Sequence, residues 1–173
     1  SSAASDVYKR QLLERSRALL KGRADSEAHQ DMAAALLAAA NSLESTYAPT
    51  RGALRPDMVD VWYRAAMHVR QYDVPQAVRL ARQSLEATGA VIEPFKPGKR
   101  HVSHLPDLHF DGAIRSMLML FDMHWQRHES DEALAWIDAA LQTHMCMIGG
   151  GRALFVQRWA HGDYPLDAWL ATC

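Results

Sequence analysis

The sequence predicts an all-α protein, and three observations predict it. Apolar residues recur at three- and four-residue spacing along most of the chain. Sustained alternation of polar and β-branched residues is nearly absent. Long Ala- and Leu-rich stretches are bounded by prolines, glycines and short acidic turns of the kind that start and stop helices. The expected architecture is about seven or eight helices paired as stacked antiparallel hairpins, either helical-repeat-like or an irregular bundle.

The elements follow in order. Asp6–Gln11 is the translation of GAT-GTG-TAT-AAG-AGA-CAG, the end of a common transposase-based sequencing adapter. Residues 1–11 are therefore expected to be a non-native segment read from environmental DNA, with a single helical domain over 12–173. "QLLERSRALLKG" is a helix closed by Gly22. The next helix takes Asp25 or Ser26 as its cap and runs to about Thr46. A linker with Pro49 and Gly52 follows, and Pro56 opens a helix striped by Val59, Trp62, Ala66 and Val69. Asp73 caps a helix with Pro75 in its first turn. Its small-residue face is Ala77, Leu80, Ala81, Ser84 and Leu85, and Gly89 stops it.

Residues 90–108 break the pattern with three prolines and the basic knot Lys96, Lys99 and Arg100, so a long loop with one short extended piece is expected. A helix striped by Ile114, Leu118, Phe121 and Trp125 follows. Ser130 is the expected cap of the next, which carries Asp131 and Glu132 where the helix dipole favours acids. After the "GGG" of Gly149–Gly151, two short helices are expected to close the chain. The five tryptophans, Trp62, Trp125, Trp136, Trp159 and Trp169, fall on helical stripes as core anchors.

The composition narrows the function. The 173 residues suit one domain, and 49% hydrophobic against 23% charged residues suits a globular core. A net charge of −1 gives no general attraction to nucleic acid or anionic membrane, so nucleic acid would enter only through a larger complex. No apolar run is long enough for a bilayer. Two cysteines, Cys146 and Cys173, form no CxxC pair, and a cytoplasmic setting is the default.

Three joints look alike: "QYDVPQAVRLARQSL", "RHESDEALAWIDAAL" and "AHGDYPLDAWLA". Ala77, Ala81 and Leu85 align with Ala133, Ile137 and Leu141 at a constant offset. With Leu120, Phe121, His124, Ala133, Ile137 and Ala140 at packing-like positions, the chain resembles tetratricopeptide-like helical repeats over roughly residues 57–172. That resemblance implies a scaffold that binds other proteins. Separately, "DVPQAVRLARQSL" followed by "PGKRH" resembles the central part of the small terminase subunit of some tailed phages. That resemblance implies a part in genome packaging beside a large subunit.

Histidines carry the remaining signal. Five of the nine, His101, His104, His109, His124 and His128, fall within one short stretch. His124 and His128 are four apart, which on a helix puts two imidazoles on one face, as zinc sites require. His104 and His109 could complete such a site, as could His101 or His144. The bland alternative is one packed histidine at the hairpin seam and one histidine at a helix end. No nucleophile–base pair or paired carboxylates can be argued from residue order, so no catalytic residue is assigned. The leading expectation is a non-catalytic helical protein that binds another protein. Its groove would lie between hairpins, rimmed by a loop carrying Lys96, Lys99, Arg100, His101 and His104. It needs no cofactor. The alternatives are a zinc-binding protein or metalloenzyme built on the histidines, and the phage packaging subunit.

Overall fold

The computed structural model describes residues 2–22, 24–44, 55–96, 102–104 and 110–147, with positions 153, 156 and 157. Its element order is α1 (Ser2–Lys21), α2 (Ser26–Glu44), α3 (Pro56–Val69), α4 (Val74–Ala87), β1 (Ala90–Ile92), β2 (Val102–His104), α5 (Phe110–Gln126) and α6 (Ser130–Met147). The protein is mostly helical, as its periodicity predicts. Six helices stand among the described residues, where seven or eight were expected. The two expected after Gly151 fall almost wholly outside those residues.

From residue 5 onward the buried positions of α1 are Leu12, Ser16 and Leu20, one residue per turn. Residues 5–11 are exposed except for half-buried Lys9, which donates to Asp57 at 3.0 Å. Gly22 follows the last turn without a left-handed φ. A Cβ there would meet only ordinary contacts, the nearest at 3.6 Å, so glycine is not required at that position. In α2, Asp25 is the cap, since its carboxylate accepts from the Ala28 N–H at 2.8 Å. The stripe His29, Met32, Ala33, Leu36 and Ala40 is buried.

The centre of the fold is α3. Pro56 lies in its first turn and ten of its residues are buried. Asp57 and Asp60 keep one edge of α3 in solvent, and the rest of the helix is covered by α1, α2, α4 and α5. The helix α4 starts on Asp73, whose side chain accepts from the Gln76 N–H at 3.0 Å, with Pro75 beside it. Its face of Ala77, Ala81 and Ser84 has no exposed surface. Small side chains there let α4 lie close to α3 and α5. Ser84 donates to the Val59 carbonyl at 2.9 Å, and Ser116 of α5 donates to Ser84 at 3.1 Å, so the hydroxyls at this seam have partners. Gly89 ends the element with φ 92°, a backbone that side chains resist.

Within the expected loop two short strands stand where one extended piece was expected. Strands β1 and β2 pair antiparallel, with Ala90 opposite His104 and Ile92 opposite Val102. Ile92 and Val102 are buried and join the core. Two β-branched residues facing each other earn pairing even in strands this short.

Residues 112–120 of α5 are buried throughout, because α4 and α6 flank the helix. Two cations enter this region paired: Arg70 with Asp122, and Arg115 with Asp60. Arg115 also lies 4.6 Å from the centre of the Tyr63 ring. In α6 the buried stripe is Ala133, Trp136, Ala140, Thr143 and His144. Trp62 and Trp136 are core anchors as expected, but Trp125 is not: it is 52% exposed and rests against Phe121, with ring centres 6.1 Å apart. In the last turn of α5 the buried positions are Met123 and His124, so Trp125 falls on the outer face. Helix α6 begins on Ser130 itself, so Glu129 occupies the position expected for the serine.

Candidate functional site

The α5–α6 turn gathers more chemistry than any other described segment. Helix α5 closes with two backbone bonds: the Glu129 N–H donates to the His124 carbonyl at 3.0 Å, and the His128 N–H to the Trp125 carbonyl at 3.0 Å. These are the crossed bonds of a Schellman cap. The position that usually needs glycine holds His128, at φ 61°. His128 therefore lies past the end of the helix, in the turn, and is exposed. The i, i+4 relation expected to put it beside His124 on one helix face does not apply. His124 is buried, at 4% exposure.

The same turn swings Glu129 and Glu132 onto His124. Its ring Nδ1–H donates to Glu129 Oε2 at 2.6 Å. Its Nε2 is 3.7 Å from Glu132 Oε1 and has no hydrogen-bond partner. One ligand atom from each of the three residues falls within 4.8 Å of the others. Arg127 lies 2.9 Å from the other Glu129 oxygen, and Arg82 is 3.9 Å from Glu132. An open cavity of about 370 Å³ adjoins the turn, lined by Phe95, His128, Glu129, Ser130, Asp131 and Glu132. Phe95 brings the segment after β1 to this place.

Of the expected loop residues, Lys96 is exposed and His104 ends β2. Lys99, Arg100, His101 and His109 lie outside the described residues, as does the His104 side chain. A separate groove lies between α2 and α4. Its volume is about 470 Å³, and it is lined by Leu37 of α2, Trp62 of α3, and Gln76, Arg79, Leu80, Arg82, Gln83 and Glu86 of α4. The described part of the 90–108 segment does not line it; Phe95 borders the other cavity.

A third group escaped the sequence entirely. Ser16 Oγ lies 2.7 Å from His68 Nε2, and His68 Nδ1 lies 2.9 Å from His29 Nδ1. A serine, a histidine and a third orienting group is the order of a nucleophile and its base. Yet Ser16 and His68 have no exposed surface, so no substrate reaches the hydroxyl. The set is a polar seam tying α1, α2 and α3. Burial holds His68 down at about 4, helped by the neighbouring His29 and Arg64 charges, and burial lowers His29 as well, against the pull of Asp25. Both rings are neutral at pH 7, which is what a Nδ1···Nδ1 bond demands: one nitrogen donates and the other accepts.

The missed acids had one signal. Glu129 and Glu132 follow His124 at i+5 and i+8 across a turn, and only knowing that the chain reverses there would bring them together. Ser16, His29 and His68 are separated by up to 52 residues and had none. No protein-family model, no curated protein and no solved structure matches this chain.

Proposed function

We propose that the protein is a non-catalytic helical module that holds a segment of another protein. Its helices are read as stacked antiparallel hairpins, α3 with α4 and α5 with α6. The observation that carries the reading is the groove between α2 and α4. Half-buried Leu37 offers apolar surface there, over the buried Trp62 and Leu80, and Arg79 and Arg82 outnumber Glu86 along it. Apolar contact gives affinity and a charged margin gives register. An amphipathic helix with acidic residues on its flank suits that combination.

The test is a capture experiment with three proteins of equal helical content by circular dichroism. They are the wild type, Leu37→Glu/Arg79→Glu in the groove, and Lys96→Ser/Lys99→Ser/Arg100→Ser in the loop. Loss of a captured partner by the groove variant alone supports the reading. Loss by the loop variant alone moves the binding surface to the loop. Equal capture by all three ends both.

A further inference from the structure

We propose that the α5–α6 turn is a divalent transition-metal site of the zinc type, in which His124 Nε2 and Glu132 are ligands and Glu129 positions the ring. The carrying observation is the nitrogen. A neutral imidazole has one N–H and one lone pair. Glu129, an acceptor only, takes the N–H at Nδ1. The lone pair is left on Nε2, on a side chain 4% exposed, and no group donates to it. Instead it faces a second acceptor, the Glu132 carboxylate, at 3.7 Å. Two acceptors facing each other inside a protein call for a cation between them.

The spacing suits a metal ion. Ligands about 2.1 Å from zinc at tetrahedral angles stand roughly 3.4 Å apart, close to the separation seen here. A carboxylate on the far nitrogen of a ligating histidine fixes its tautomer and raises its basicity. Glu129 does this already, and Arg127 anchors its other oxygen. Arg82, at 3.9 Å, is too far for a hydrogen bond to Glu132. The cavity bordered by His128 and Asp131 leaves space for water or further ligands. This set shares only His124 with the histidine quartet expected from the sequence, and it meets the α2–α4 groove at Arg82.

The experiment uses the full chain stripped with chelator, titrated with zinc chloride by calorimetry and with cobalt chloride by visible absorption. One ion per chain is expected, with cobalt bands of nitrogen and oxygen ligation. Glu132→Gln, which keeps the size of this half-buried side chain and removes its charge, should weaken zinc at least tenfold. Glu129→Gln should weaken it ten- to a hundredfold while keeping the cobalt ligand set, as a positioning residue does. Zinc binding unchanged in Glu132→Gln overturns the proposal, because the ion then sits elsewhere. So does an absence of binding to wild type, with nitrogen-15 shifts showing both His124 nitrogens protonated. In that case a proton is the cation between the two glutamates.

Discussion

Lowering the pH should weaken this protein through His68 before its carboxylates are titrated. The imidazole sits near 4 in the fold against 6.5 when free, because it is buried against His29 and Arg64. Between those values the unfolded chain binds the proton and the folded chain does not. Stability is therefore fully present above about pH 6.5 and is lost as the pH falls toward 4. Over the interval from pH 7 to pH 4.5 the loss from this one group is roughly 2 kcal/mol. His29, also lowered by burial, adds to it in the same direction. Urea unfolding followed by circular dichroism at several pH values measures the slope. In His68→Gln the slope between pH 6.5 and 4.5 should fall by more than half, whatever the variant's stability at pH 7. Comparing the two proteins cancels other groups, Asp122 among them. Equal slopes would refute the reasoning and show that the seam takes up protons without unfolding.

Two further outcomes are expected. His128→Gly should raise stability by about 1 kcal/mol, seen as a higher urea midpoint, because a left-handed backbone is costly for histidine and free for glycine. Removing residues 1–11 deletes the Lys9–Asp57 pair but no buried side chain from residue 5 onward, so it should cost at most about 1 kcal/mol by the same measurement.

Helix boundaries were legible wherever a local signal set them. Asp73, Pro75 and Gly89 each do in the structure what their chemistry predicts, since a cap or a left-handed turn depends on a few neighbouring atoms. The stripe on α4 was legible for the same reason. Trp125 misled, because the buried face of α5 shifts to Met123 and His124 in its last turn, off the stripe that periodicity extends from Ile114 and Leu118. The β-ribbon was hidden by its brevity: three residues cannot display alternation, and the prolines around them speak for a loop. The candidate sites were legible only in part. His124 stood out by composition, but its acidic partners depend on the chain reversing at His128. The serine–histidine seam depends on how three helices assemble.

The order of packing has a consequence for how the chain reaches this state. Among the described residues most helix contacts join neighbours in sequence; α3 also reaches α1 and α5, and Arg82 of α4 reaches α6. Contacts between near neighbours need only short loops to close, and chains built this way fold faster than those that must join distant strands. Synthesis proceeds from α1 onward, so α2 can dock against α3, and α3 against α4, before the later helices exist. The ribbon and α5 then arrive at a surface already assembled. The acidic turn after α5 forms late, once α6 has been made. A fault in that turn would act first on the pairing of α5 with α6.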